Sequence, residues 1–317
     1  GLTESTLDGW FKKTVELLKP MYEKLKREVF SCDYVQADET TVPVINREKH
    51  KADKEYLWMV RSVMEKLVIF HYDVGSRAGA VIESLANQYN FKGYLQCDGF
   101  AGYETAFRTN PDVRLLNCLV HIRRHFEQAL DENREMAQHA LTQIQHIYKI
   151  ERQCDEAGLS YDERSQTRQE LSRPIMVAMK VWMETEGIKY SPSSLTGKAI
   201  TYAYTKWDNI MRCLDDGRLY WDNNLAENVQ RPITLSRKNF LVCGNHEAAV
   251  NMSVICSLLA TCKAHGVNPR VYLNDVIAQM PYHKKATQEE LLNLLPHKWK
   301  LKHPECVLTR QKEESCN

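Results

Sequence analysis

The sequence predicts a mixed α/β fold of the α+β type: a sheet built early in the chain, a large all-helical region after it, and helices at both ends. Three observations predict it. Between Tyr34 and Leu119 the chain runs in short segments rich in Val, Ile, Leu, Tyr and Phe, the texture of strands. On either side, apolar residues recur at three- and four-residue intervals, which places them on one face of a helix. The order strand, strand, strand, helix, strand, turn, strand implies a mixed sheet with a right-handed crossover.

Each element follows from its own pattern. Trp10, Phe11, Val15, Leu18, Tyr22 and Leu25 mark an amphipathic helix over Leu7–Val29, with Pro20 a point where it can kink. Tyr34–Glu39, Tyr56–Val63, Lys66–Val74, Gly93–Cys97 and Val113–Leu119 read as strands. Only Met64 and Glu65 separate the second strand from the third, so these two pair as an antiparallel hairpin. Ala78, Val81, Ile82, Leu85, Ala86 and Tyr89 give a helix with Ser76 as its N-cap. From His121 to about Asp216 the spacing stays helical, with a loop at Ser191–Ser194. Asp222–Ser236 reads as a further helix that must accommodate Pro232, and Ala248–Ala264 as another, closed by Gly266. A Lys- and His-rich helical tail ends the chain. Trp10, Trp182, Trp207 and Trp299 fall in or near apolar helical patterns and read as core.

Composition excludes several classes. Hydrophobic residues are 43% and charged residues 26% of 317, with 42 basic against 41 acidic side chains. That is the balance of a soluble globular chain, not of a disordered, collagen-like or rod-forming one. No apolar run approaches the roughly 20 residues of a membrane-spanning helix. Gly1–Trp10 has no apolar stretch of the signal-peptide kind. The first residue is not Met, so an upstream segment is expected to be absent. Ten cysteines without a C-x-x-C pair read as reduced thiols, so a cytoplasmic location is expected.

Three acidic residues are candidates for chemistry. Asp38 lies near the end of the first apolar strand. Asp98 closes the fourth, where Gly99 lets the chain turn sharply. Glu227 follows Asp222-Asn223-Asn224, whose Asp222 or Asn223 can cap a helix. Hard cations such as Mg²⁺ take carboxylate oxygens, and a two-metal site clamps the attacking and leaving oxygens of an in-line phosphoryl displacement. Taken singly, each of these residues reads better as a turn or cap residue than as a catalytic one.

The wider motifs resemble the transposases of the insertion sequence sixty-six family. They are Asp38-Glu39-Thr40, Gln96-Cys97-Asp98-Gly99-Phe100-Ala101-Gly102-Tyr103, and Asp222-Asn223-Asn224-Leu225-Ala226-Glu227 with Arg231-Pro232 and Arg237-Lys238-Asn239. Cys118-Leu119-Val120-His121-Ile122-Arg123-Arg124-His125-Phe126, Tyr272-Leu273-Asn274-Asp275-Val276 and Leu294-Leu295-Pro296 extend the match from about Asp38 to Pro296. The resemblance implies an RNase H-like core with a large all-helical insertion between the second Asp and the Glu. It also implies a D-D-E triad of Asp38, Asp98 and Glu227 that holds two Mg²⁺ ions, with Mn²⁺ able to substitute. The three carboxylates of such a site should converge within roughly 8 Å. The expected segments are 1–31 (helix and linker), 32–130 (first part of the core), 131–218 (helical insertion), 219–265 (the end of the core, with the Glu helix) and 266–317 (helical tail).

The expected function is cleavage of a DNA strand at transposon ends, followed by transfer of its 3′-hydroxyl into target DNA. The expected partners are those DNA ends, the target, accessory proteins of the element, and further copies of the chain in a dimer or larger assembly on nucleoid DNA. Two rival readings are an RNase H-like structure-specific nuclease and a non-catalytic DNA-binding protein of transposase descent. Cys118, His121 and Asn224 are candidate active-site support. A lone C-x2-H pair falls short of the ligands zinc requires. Arg123, Arg124, Arg231, Arg237 and Lys238 are candidate phosphate contacts, since Arg and Lys supply most sequence-independent DNA affinity. Solvated surface charge, or an Arg231–Glu227 pair, is the alternative. Asn117 and Ser236 stand where the family carries Gly.

Overall fold

The computed structural model of the chain describes residues 2–236, 242–283 and 285–308. In chain order the elements of the early part are α1 (Glu4–Phe30), β1 (Tyr34–Asn46), β2 (Lys51–Ser62), β3 (Val68–His71), α2 (Ala80–Gln88), β4 (Gly93–Cys97), α3 (Ala101–Phe107) and β5 (Val113–Asn117). The strands form one mixed sheet in the order β3-β2-β1-β4-β5, with β1–β2 and β2–β3 antiparallel. A three-strand meander followed by a helix and further strands is the arrangement expected of an RNase H-like core. By internal contacts the chain divides into two compact units: Gly1–Gly93, Thr105–Asp112 and Leu225–Asn317 in the first, Tyr94–Glu104 and Val113–Asn224 in the second.

The first unit contains β1–β3, α1, α2, α9 (Asn224–Ser236, all but its first residue), α10 (His246–Ala264), α11 (Pro269–Gln279), α12 (Gln288–Leu294) and α13 (Pro296–Lys302). Side chains alternate along a strand. The even-numbered positions of β1 therefore share a face with their antiparallel partners, Gln36 opposite Arg61, Asp38 opposite Met59 and Thr40 opposite Leu57. Val42, Val44, Leu57 and Met59 on that face join Val68 and Phe70 of β3, Ala226 and Ile233 of α9, and Ala249 of α10 in one apolar cluster. The edge of β3 is closed by hydroxyls, not by another strand. Ser257 Oγ accepts from Phe70 N at 2.8 Å, and Thr261 Oγ1 accepts from Val68 N at 3.1 Å. This satisfies backbone groups that a bare edge would leave open.

Several boundaries differ from those expected. β1 and β2 run on to Asn46 and back from Lys51, so the hairpin is longer than the apolar runs that announced it. β3 is shorter, at Val68–His71. The expected turn after Asp98 is a short helix, α3. Ser76 does not cap α2. Gly79 precedes that helix without a side-chain bond, and Ser76 Oγ accepts from Ala78 N at 3.0 Å in the loop. Trp10 is 54% exposed, because it precedes Val15, where the buried face of α1 begins, whereas Trp207 and Trp299 are core.

The second unit contains β4, β5, α3 up to Glu104, α4 (Leu119–Ala129), α5 (Arg134–Glu156), α6 (Tyr161–Thr167), a π-helical segment at Arg168–Ser172, α7 (Arg173–Gly187) and α8 (Leu195–Met211). Its centre carries charge. Arg168, 1% exposed, donates through Nε and Nη2 to the two oxygens of Glu151, each at 2.7 Å. Its Nη1 donates to the carbonyls of Cys213 and Asp216, at 2.8 and 3.0 Å. Burial alone would raise the Glu151 carboxyl, but hydrogen bonds and charge from Arg168 hold it below its ordinary range. A buried charge needs this degree of satisfaction to be tolerated.

Candidate active site

Asp38 and Glu227 both belong to the first unit. Asp38 is half-buried on β1, and its Oδ1 accepts from Glu39 N at 2.9 Å. The adjacent Glu39 is engaged otherwise. Its side chain is 2% exposed, and Oε1 accepts from Nε and Nη2 of Arg77 at 3.0 and 2.8 Å. Two residues before Asp38, on the same face of β1, the buried Gln36 accepts from Ala226 N through Oε1 at 3.1 Å. Its cross-strand partner Arg61 places Nη1 3.5 Å from Leu225 O. The first turn of α9 is thus tied by backbone to the strand pair that carries Asp38. Glu227, next to Ala226, is half-buried, with Oε1 shielded from solvent. Pro232 lies inside α9 without ending it.

Asp98 belongs to the second unit. Its Oδ1 accepts from Phe100 N at 2.9 Å, the bond of a turn residue. The main chain at Asp98 is held through amides: Asn117 Nδ2 donates to Asp98 O, and Asn209 Nδ2 of α8 donates to Asn117 Oδ1, both at 2.9 Å. A Cβ at Gly99 would lie 1.9 Å from Tyr202 Oη, so any larger residue there would displace the tyrosine ring.

The supporting residues have definite partners. Cys118 is buried, and its Sγ accepts from Asn223 N at 3.3 Å, while Leu119 N donates to Trp221 O at 2.8 Å. These bonds fasten the start of α4 to the Asp222-Asn223-Asn224 loop. Burial pushes the Cys118 thiol up to about 11, so it is protonated at neutral pH. Asp222 Oδ1 accepts from Asn224 N at 3.0 Å, and Asn224 itself is exposed. His121 Nε2 lies 3.3 Å from Arg124 Nη1. Burial, then the charge of His121, lowers His125.

Of the candidate phosphate contacts, Arg123 pairs with Glu127 within α4 at 2.8 Å, and Arg124 is exposed. Arg231 is exposed and makes no ion pair among the described residues, so the i,i+4 pair with Glu227 does not form. Arg237 and Lys238 lie outside the described residues. The positioning amides Gln36, Asn117 and Asn209 were not anticipated. Gln36 had a signal, a fully buried amide in an otherwise apolar strand start, and Asn117 had another in ending β5 next to Cys118. Among the described residues no group of three or more His, Cys, Asp or Glu side chains is gathered as a metal centre. The three carboxylates are donors of the right chemistry for a hard cation. No helix of the described residues is long and apolar enough to cross a membrane.

Comparison with known proteins supplies the family. The chain matches the family described as Transposase IS66 family over residues 1–251, and the IS66 C-terminal element over residues 257–297. Among curated proteins it is similar to the uncharacterized proteins y4hP and y4jD of Sinorhizobium fredii (strain NBRC 101917 / NGR234). It is 27% identical to the first over 321 residues (94% of this chain, 56% of the relative) and 28% identical to the second over 313 residues (94% and 60%). The chain therefore spans less than two thirds of the length of these relatives. Among solved structures it is similar to the Drosophila P element transposase strand transfer complex, with a TM-score of 0.41 and 11% identity over 80% of this chain and 85% of that one. On the family match, which takes in the segments carrying Asp38, Asp98 and Glu227, the chain belongs to the IS66 transposase family.

Proposed function

We propose that this chain is the catalytic region of a D-D-E transposase, with Asp38, Asp98 and Glu227 as the carboxylates of one reaction on DNA. The observation that carries this reading is the Gln36–Ala226 bond. It sets the turn bearing Glu227 against the strand bearing Asp38, although the two residues are far apart in sequence. Asp98 adds a carboxylate whose backbone is fixed by Asn117. When bound, Mg²⁺ or Mn²⁺ held by these three residues, two ions in the reaction, would neutralise charge on the reacting phosphate.

In the first displacement a water oxygen bonds to phosphorus at the element's end and the DNA 3′-oxygen leaves as a hydroxyl. In the second, that hydroxyl oxygen bonds to a target phosphorus and displaces the target's own 3′-oxygen. Neither step requires a serine or tyrosine nucleophile from the chain. Its task is to hold the strand in line, so that positioning carries much of the acceleration. Arg123, Arg124 and Arg231, with Arg237 and Lys238, serve as phosphate contacts. Cys118 and His121 fix the loop ahead of Glu227 and the start of α4. Residues 131–218 act as a helical insertion in the core. Two DNA ends require a dimer or larger assembly, and accessory proteins of the element are further partners.

The test is strand cleavage and strand transfer by the 317-residue chain on DNA bearing the ends of its own element. Mg²⁺-dependent nicking and joining are expected, with both lost in Asp98→Asn while the circular dichroism spectrum is retained. Undiminished Mg²⁺-dependent cleavage by Asp98→Asn would overturn the assignment. Cleavage of branched DNA without joining would favour the structure-specific nuclease.

A further inference from the structure

Helix α8 carries an unusual second stripe. Its core-facing residues include Ala199, Ile200, Ala203, Trp207 and Ile210. Lys198, Thr201, Tyr202 and Thr205 recur at i, i+3, i+4 and i+7, which places them on one other face. That stripe is polar and aromatic. With His125 of α4 and Gly99 it lines an open groove of about 440 Å³, wholly within the second unit. The rings of Tyr202 and His125 lie 4.1 Å apart between centroids, tilted by 32°. Tyr202 Oη makes no hydrogen bond and Lys198 no ion pair among the described residues. Lys206, at the groove's floor, is already paired with Glu104 at 2.5 Å. Gly99 puts the groove directly beside the turn of Asp98.

These features fit an extended anion better than a small enclosed ligand. The groove is open and carries an uncompensated ammonium group, hydroxyl donors at helical spacing, and an aromatic pair. Single-stranded nucleic acid is bound by this combination, with cations and hydroxyls along the backbone and aromatic rings under the bases. A duplex keeps its bases stacked and offers no base to the aromatic pair. We infer that the Lys198–Thr201–Tyr202–Thr205 face of α8, together with His125, is a binding groove for a single-stranded DNA segment next to the phosphate that Asp98 serves. The inference rests on the proposed function for its DNA ligand, but the groove residues are separate from the three carboxylates.

The test is fluorescence anisotropy with a labelled oligothymidylate and, separately, a duplex of the same length, using the full chain without divalent metal. Tyr202→Ala is expected to weaken single-strand binding roughly tenfold and duplex binding less, since one base–aromatic stack is lost. Tyr202→Phe, which keeps the ring, should stay near wild type. Lys198→Ala should lower the slope of log affinity against log salt by about 0.7, the value for one phosphate contact on a single strand. Single-strand affinity within about twofold of wild type in both Lys198→Ala and Tyr202→Ala, with an unchanged salt slope, would overturn the groove. If Tyr202→Ala fails to fold, the exposed Lys198 decides alone. Binding of an acidic peptide in place of DNA would also overturn it. Asp98→Asn keeps the two readings apart. Groove variants that bind normally while Asp98→Asn loses cleavage would sink the groove alone. Groove variants that lose binding while Asp98→Asn still cleaves would sink the catalytic assignment alone.

Discussion

The two units place their acidic residues by different physical means. In the first, Asp38 and Glu227 ride on an apolar layer. Strands β1–β3 give one face of Val, Leu, Met and Phe side chains, and Ala226 and Ile233 of α9 pack on it. Gln36 then fixes the register of α9 by one buried hydrogen bond. In the second, Asp98 is held by polar groups: Asn209 to Asn117 to the Asp98 carbonyl, and Gln96 Nε2 to Tyr220 O at 2.7 Å. The segment just before Tyr220 is anchored by Arg168, which is itself held by Glu151. Apolar packing is forgiving of small changes in shape, whereas a buried polar network fails when one member is removed. The second unit should therefore be the more brittle of the two.

The largest expected effect breaks that network. Arg168→Met removes the buried guanidinium that holds Glu151 and the carbonyls of Cys213 and Asp216, leaving Glu151 to Arg164 alone, and should destabilise the second unit by about 3–5 kcal/mol. Urea unfolding followed by hydrogen exchange of residues 134–216 would read it, and a loss below 1 kcal/mol (roughly the worth of an exposed pair) would place the pair outside the core. In the first unit Leu57→Ala opens a cavity in the sheet layer and should cost about 3 kcal/mol, with protection lost first in β1 and β2. Next comes Asn117→Ala, which removes both amide bonds of the relay and should cost about 1–3 kcal/mol. Its cleavage rate should fall further than its melting temperature implies, because Asp98 loses its backbone support. Equal losses of rate and stability would make Asn117 merely structural.

The smallest effect separates the units by pH. Burial, with nearby lysines adding to it, lowers His71, His265 and His297 to about 4 in the first unit. Unfolded histidine titrates at 6.5, so below that pH the unfolded first unit takes up protons that the folded one refuses. Its stability is full above 6.5 and declines as pH falls toward 4. In the second unit burial lowers His125, and Glu151 contributes stability above the unfolded value of 4.5 that is lost only below it. Hydrogen exchange at pH 7 and 5.5, corrected for intrinsic rate, should show the first unit loosening before the second. Equal loosening would contradict the comparison.

What the sequence made legible follows the same division. Apolar alternation and helical spacing located the strands, α1, α9 and α10. They missed residues 40–55 of the β1–β2 hairpin because the ends of the two strands are held by ladder hydrogen bonds, which have no side-chain signature, and the turn at 47–50 between them is exposed. α3 was read as a turn because it is seven residues long and contains Gly102. The Arg168–Glu151 pair was invisible because its members lie on separate elements, one of them π-helical. The polar stripe of α8 was hidden beneath the apolar pattern that announced the helix. The motifs around the three carboxylates stand out in the sequence; of the amides, Gln36 and Asn117 carried a signal in the apolar strands they belong to, whereas Asn209 reads like a surface residue of a helix.

The central claim is that Asp38, Asp98 and Glu227 serve one metal-dependent reaction. Its most direct test is Mn²⁺ titration of the full chain, with free Mn²⁺ followed by electron paramagnetic resonance, for wild type and for Asp38→Asn, Asp98→Asn and Glu227→Gln. Each substitution is expected to weaken Mn²⁺ binding by roughly tenfold or more while leaving the fold intact. Wild-type Mn²⁺ affinity in any one of the three variants would remove that residue from the set and contradict the claim.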